Sequence, residues 1–132
     1  MCHWVGNMQI YKTKTFTKWQ KKEGISDKSL YLAVSEMKSG LIDATLGSGI
    51  YKKRVAKSGF GKRGSYRTIV ASKINNIWFY IFGFAKNDKD NISEREKQAL
   101  IEVAQNLLEL SNSERKKLMH EQKLYEVNDE KE

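Results

Sequence analysis

Positively charged side chains are concentrated in one short stretch of this sequence. Residues 50–73 contain eight Lys and Arg residues and no Asp or Glu, and no Asp, Glu or His occurs between Asp43 and Asp88. Charges of one sign repel one another, and a surface that only has to be soluble mixes both signs. A basic face of this kind is typical of a surface that binds a polyanion, most often a nucleic acid.

Alternation along the chain indicates which of these groups act together. Residues 50–56, IYKKRVA, follow strand spacing, so Lys52 and Arg54 share one face and Lys53 lies on the other. If the next strand pairs with this one in antiparallel fashion, Arg67 can lie beside the first two side chains. Arg offers a planar fork to phosphate oxygens, and Lys offers a compact charge with three donors. We therefore expect a phosphate-binding cluster on this face.

The same cluster suits one step of RNA cleavage. Attack by the ribose 2′-hydroxyl needs a base, stabilisation of negative charge on the phosphorane, and an acid for the leaving 5′ oxygen. Cations supply the second of these. Lys86, where a further strand ends, can join the cluster, and crowded cations disfavour charging of a lysine, so Lys52 or Lys86 is a candidate base. Because no His or carboxylate lies nearby in sequence, the residues alone favour binding without catalysis.

A glycine pattern in the basic stretch matches a dinucleotide-binding motif, but we reject that interpretation. Gly59, Gly61 and Gly64 match G-x-G-x-x-G, which binds a dinucleotide only where it leaves a strand and opens a helix. Here another strand follows. The segment is better interpreted as a flexible loop that carries Lys62 and Arg63 at its tip.

Other chemistry-bearing residues give weaker signals. The aromatic side chains of the apolar segment 77–85 favour core packing over base stacking, whereas Tyr51 and Tyr66 flank basic residues and are better stacking candidates. His3 and His120 have no partner at ligand spacing, so we expect no metal and no cofactor. The single cysteine, near the N-terminus, is expected to be an inert thiol.

The periodicity predicts an α+β domain spanning residues 1–132, with residues 1–7 as a flexible extension. The predicted elements are a strand at 9–14, helices at 16–23 and from Asp27 to a stop at Gly40, strands at 50–56, 66–73 and 77–85, helices that start with capping boxes at Ser93 and Ser111, and a strand at 123–127. No secretory signal is visible and the longest apolar run is too short for a membrane span, so we expect a cytoplasmic protein without a membrane partner.

Three segments together resemble one family. YKTKTFTKW, YKKRVAKSGFGKRGSYRTIVA and FYIFGFAKND are similar to the RelE/ParE superfamily of type II toxins, closest to its HigB-like, phage Gp49-like branch, and the resemblance spans roughly residues 8–127. It implies a helical hairpin packed on a small antiparallel sheet with C-terminal helices, the RelE-like microbial RNase fold. It also implies an mRNA endonuclease that enters the ribosomal A site and uses the 2′-hydroxyl and no metal.

The resemblance also implies roles for particular residues and a partner. The catalytic residues that it implies are Lys52, Arg54, Arg67 and, at the end of the last strand, Lys86. The implied RNA-binding residues are Lys53, Lys57, Lys62 and Arg63. The implied partner is a cognate antitoxin, in this branch a small helix-turn-helix protein. Many relatives place Tyr or His near the start of the final helix for proton transfer, where this chain has Asn87 and Asp88, so the base stays unassigned.

Two other functions stay open at this stage. The missing acid–base groups favour a relative that binds RNA or protein without catalysis. Inhibition of gyrase, as in the ParE branch, is a third possibility, and DNA breaks without loss of messenger would indicate it.

Overall fold

The computed structural model describes residues 8–56, 66–73, 76–85 and 92–127. The described elements are β1 (Gln9–Thr13), α1 (Lys14–Glu23), α2 (Asp27–Lys38), β2 (Ala44–Gly47), β3 (Ile50–Val55), β4 (Tyr66–Ser72), β5 (Ile77–Ala85), α3 (Glu94–Leu108), α4 (Asn112–His120) and β6 (Leu124–Glu126). Every predicted element is present, and β2 is an additional strand that the sequence periodicity did not reveal. None of the helices in these ranges is both long and apolar enough to cross a bilayer.

The strands form one sheet in the order β2-β3-β4-β5-β1-β6. The predicted antiparallel run β3-β4-β5 is confirmed, and β6 pairs with β1 in antiparallel fashion. β1 lies parallel to β5. The predicted α+β class, a helical hairpin on a mostly antiparallel sheet with C-terminal helices, is therefore confirmed, and this sheet fixes which basic side chains share a face.

The helical hairpin α1–α2 covers one face of the sheet. The Thr13 hydroxyl accepts from the Phe16 N–H at the start of α1, and Gly24, with φ of 74°, ends this helix in the left-handed conformation that glycine adopts without strain. Phe16 and Val34 are fully buried against the sheet, where Phe16 stacks on Tyr80. The sheet is consequently closed to ligands over most of this face.

The C-terminal helices cover the other face. Both predicted capping boxes are present, with Ser93 and Ser111 each bonded to the glutamate three residues later. Ala104 of α3 and Leu124 of β6 pack with Ile69 of β4 in a second core cluster. On this face, the buried residues of the cluster do not extend to the ends of β3 and β4 at Val55 and Tyr66.

The buried hydroxyl of Tyr80 should make the stability of the fold depend on pH. This hydroxyl donates to the Leu30 carbonyl at 2.8 Å, and burial, followed by the negative charge of Glu36, raises its pKa well above the usual value. The folded protein therefore keeps this proton where the unfolded chain releases it, so the contribution to stability is complete below about pH 10 and is lost as the pH rises further.

Tyr80→Phe should accordingly reduce the fall in unfolding free energy between pH 9 and 11, measured by urea titration at each pH. At pH 7 the same variant should be less stable by about 1 kcal/mol because the hydrogen bond is gone. Tyr125→Phe, on the half-exposed strand β6, is the matched control. An identical pH dependence in wild type and Tyr80→Phe would contradict the assignment.

Candidate RNA-binding site

Two arginines from neighbouring strands lie side by side. Arg54 of β3 and Arg67 of β4 are direct partners in the antiparallel ladder. Directly opposite residues share a face, with Cβ atoms about 5 Å apart. We call Arg54 and Arg67 the arginine pair. Phe84 of β5 is the next residue along the same row and is 4% exposed, so a buried aromatic residue lies beside the pair.

The arginine pair is available to a ligand. Arg54 is exposed and Arg67 is half-buried. Within the described ranges, neither guanidinium takes part in an ion pair. Two positive charges at this separation repel each other, and the half-buried position reduces screening by water. A phosphate bound between the forks would relieve that repulsion, so the geometry suits an anion with several oxygens.

Lys52 lies on the same face as the arginine pair. It is two residues from Arg54 on β3 and pairs with Ile69 of β4, which places it diagonally from Arg67 at about 7–8 Å. Three of the four predicted catalytic residues are thus together on one surface. The fourth, Lys86, lies outside the described residues, directly after the last residue of β5, Ala85.

Lys53 occupies the opposite face and has a different environment. It is 6% exposed, and its Nζ lies 2.8 Å from Glu36 Oε1 and donates to the Leu41 carbonyl at 3.0 Å. A cation held this way ties β3 to α2. The structure therefore does not place Lys53 with the arginine pair. The other predicted RNA-binding residues, Lys57, Lys62 and Arg63, lie outside the described ranges.

The predictions for the aromatic residues are confirmed only in part. Core packing is confirmed for the apolar strand, where Trp78, Phe79 and Tyr80 are each 2% exposed or less. The stacking prediction is wrong for Tyr66, which is buried on the hairpin face against Trp19. Burial and the neighbouring Glu23 carboxylate raise the pKa of Tyr66. Tyr51 also belongs to the hairpin side, because residues two apart on β3 share a face.

A carboxylate also lies in this region, although the sequence analysis did not place one there. Asp43 Oδ2 accepts a hydrogen bond from the backbone N–H of Arg54, at the point where β2 no longer pairs with β3. The signal was present in the segment 44–51: Gly47, Ser48 and Gly49 all have positive φ and make the tight turn of a hairpin. Recognising that hairpin would have brought Asp43 opposite Arg54.

Adjacent lysines on β3 should give opposite phenotypes. Lys53→Ala removes the partner of a half-exposed carboxylate and a buried donor, so unfolding free energy should fall by about 1–3 kcal/mol. The slope of log affinity for RNA against log salt should stay unchanged. Lys52→Ala should lower that slope by about one, because one phosphate contact is lost. Urea unfolding and salt titration of RNA binding test both, and equal slopes for the two variants would contradict the assignment of faces.

Comparison with known proteins assigns the chain to a family. No group of three or more His, Cys, Asp or Glu in the described part of the chain is arranged to hold a metal ion. A family model described as "RelE toxin of RelE / RelB toxin-antitoxin system" matches residues 8–127. The chain therefore belongs to the RelE toxin family, and the protein is a toxin of the toxin–antitoxin class with an antitoxin as its partner. No curated protein matches the chain.

Proposed function

We propose that the protein is a ribosome-dependent mRNA endonuclease, which cuts the messenger in the ribosomal A site by means of the ribose 2′-hydroxyl and without a metal ion. Toxins of this family are generally endoribonucleases. The observation that carries the proposal is the arginine pair: two cations directly opposite each other on one face, without an ion-pair partner among the described residues.

In the proposed reaction the arginine pair holds the scissile phosphate. As the 2′-oxygen attacks, negative charge grows on the non-bridging oxygens, and two guanidinium groups already in place stabilise it with little reorganisation. Because this stabilisation is stronger in the transition state than in the ground state, it accelerates the step instead of only tightening binding. The ribosome, by ordering the messenger, contributes through positioning.

Proton transfer requires a further group on the same surface. Lys52 is the candidate base among the described residues, and Lys86 is the second candidate from the sequence. Asp43, through its hydrogen bond to the Arg54 backbone, adds a carboxylate to this region. A pH profile of cleavage by Lys52→Ala and Asp43→Asn separates the two roles, since loss of the base changes the profile and loss of a positioning residue lowers the rate at every pH.

The alternative is a relative that binds RNA or protein without cutting it. The scarcity of ordinary acid–base groups near the arginine pair favours it, because the described surface supplies charge more clearly than it supplies a proton acceptor. It would use the same residues for binding.

The experiment that decides is expression in growing cells followed by primer-extension mapping of transcripts. The proposal predicts growth arrest and new 5′ ends inside codons of translated messengers, which do not appear in a messenger whose start codon has been removed. RNA binding without new ends in a translating extract would select the alternative. DNA breaks with intact messengers would instead indicate gyrase inhibition.

A further inference from the structure

A second basic surface lies on helix α1, away from the arginine pair. Four of its ten residues are exposed lysines, and we call them the lysine surface: Lys14, Lys18, Lys21 and Lys22. The first three recur at intervals of four and three residues, so they lie along one side of the helix. With a rise of 1.5 Å per residue they extend over about 10 Å.

Lys14 and Lys18 do not stabilise the helix that carries them. Lys14 is the first residue of α1, where the positive end of the helix dipole disfavours a cation, and the first turn contains no acid. Lys14, Lys18 and Lys21 are also like-charged neighbours three or four residues apart, which destabilises a helix. Within the described ranges none of the four is in an ion pair. Lys21 and Lys22, in the last turn, are favourably placed for the helix dipole, but a role in folding does not account for the row of three lysines.

The neighbouring Lys12 provides a contrast. Its Nζ lies 2.9 Å from both Gln20 Oε1 and Asp27 Oδ1, so this lysine joins β1 to the two helices. Where the fold uses a lysine for stability, it surrounds the ammonium with oxygen acceptors. Among the described residues, the lysine surface has no such acceptors. A ligand with anionic oxygens would supply them.

The shape beside the lysine surface also fits one backbone strand of a folded RNA. A cleft of about 410 Å³ runs between α1 and β6, lined by Lys14, Lys18 and Lys21 together with Thr17 and the half-buried ring of Tyr125. Glu126 is the one acid among the residues that line it. Ammonium groups along the edge can contact successive phosphates while a ribose lies against the ring and the hydroxyl.

The two basic surfaces face different ways. α1 packs on the hairpin face of the sheet against β5, β1 and β6, whereas the arginine pair belongs to β3 and β4 and lies on the face of the C-terminal helices. One unfolded strand held by the arginine pair would have to wrap around the sheet to reach the lysine surface. Each surface is therefore suited to its own segment of RNA.

We propose that the lysine surface binds the phosphate backbone of a folded RNA segment, separate from the strand held by the arginine pair. The proposal rests on the proposed function, because a ribosomal target presents both a single-stranded messenger and double-helical RNA around it. It makes α1 the element that places the toxin on its target, while the arginine pair acts on the messenger.

The test is the triple variant Lys14→Gln, Lys18→Gln and Lys21→Gln, with an RNA duplex, purified ribosomes and a single-stranded hexanucleotide as probes. For the duplex, the slope of log affinity against log salt should fall by about two to three, since three phosphate contacts are removed. Ribosome binding should weaken at least tenfold and hexanucleotide binding should stay unchanged. The thermal midpoint should stay within a few degrees of the wild type, because the relief of repulsion at Lys14 and Lys18 offsets the lost dipole interaction of Lys21.

A matched control removes the same charge elsewhere. Lys38→Gln, Lys116→Gln and Lys117→Gln replaces three exposed lysines from α2 and α4. If this control weakens duplex binding as much as the α1 variant does, net charge alone is responsible and the proposal is wrong. It is equally wrong if the α1 variant keeps duplex and ribosome binding but loses binding to a polyglutamate peptide, which would indicate an acidic protein partner.

Failure of this proposal can be told apart from failure of the proposed function. Arg54→Ala with Arg67→Ala should lose hexanucleotide binding and cleavage while retaining affinity for the duplex. A wild-type protein that binds the duplex but cuts no messenger in a translating extract would overturn the proposed function and leave the lysine surface intact. Normal ribosome binding by the α1 variant would overturn only the lysine surface.

Discussion

Replacing Arg67 with alanine is expected to abolish growth arrest and to lower messenger cleavage by about 10²–10³-fold, the usual cost of removing one preorganised group that stabilises transition-state charge. Arg67 is the half-buried member of the arginine pair, so its charge is less screened by water than that of the exposed Arg54. Its place on β4, between β3 and β5, also fixes the backbone from which the guanidinium extends. Cleavage is read as the rate at which new 5′ ends appear after induction.

Two further substitutions separate charge from geometry at this position. Arg67→Lys keeps the charge and loses the planar fork, so an intermediate rate is expected. Arg95→Ala removes an exposed arginine from α3 and should leave toxicity unchanged. All variants should share the thermal midpoint of the wild type within a few degrees. If Arg67→Ala arrested growth as strongly as wild type, the assignment of the site would be wrong.

The arginine pair was predictable because it depends on local rules. Strand alternation decides which face a side chain occupies, and antiparallel pairing of consecutive strands places Arg67 beside Arg54. The helix ends followed from equally local chemistry, since a capping box at Ser93 and a glycine in the left-handed conformation at position 24 depend on neighbours within a few residues.

Contacts between distant parts of the chain could not be predicted in this way. The ion pair of Lys53 with Glu36 joins a strand to a helix 17 positions earlier, and the parallel pairing of β1 with β5 brings Gln9 beside Ile77. A count of charges along the sequence therefore overstates the basic surface, because one lysine of the basic stretch is already paired with a carboxylate. Tyr66 was misassigned for the same reason, as its partner Trp19 lies in α1.

For the lysine surface, the sequence instead understates how much positive charge the folded protein brings together. Its residues are spread over nine positions and are interrupted by Phe16, Trp19 and Gln20, so no dense basic run appears in the sequence. Helical spacing brings the lysines to one side only because Phe16 and Gln20 are buried on the other. The charge density of a helix face thus becomes visible only when the buried face is known.

The largest effect on stability is expected from Gly83→Ala. Gly83 lies in β5 opposite Thr68, and a Cβ atom at this position would overlap the six-membered ring of Trp19. The ring cannot easily move away, because Phe16 lies 5.5 Å from it on one side and Tyr66 lies 5.4 Å from it on another, measured between ring centroids. Overpacking of a rigid core site typically costs about 1–3 kcal/mol, and we expect a value at or above the upper end.

A second substitution tests whether the ring is the cause. Trp19→Leu alone should also destabilise, by about 2–4 kcal/mol, since it leaves a cavity beside Gly83. Combined with Gly83→Ala, the new methyl group fills part of that space, so the double variant should be more stable than the sum of the single effects by at least about 1 kcal/mol. Urea unfolding of the four proteins measures this coupling. Additive effects would show that Trp19 is not what excludes a side chain at position 83. Because Tyr66 precedes Arg67 and packs on the same ring, Gly83→Ala should also lower toxicity, and the double variant should recover part of it. This recovery would connect the packing of α1 to the geometry of the arginine pair.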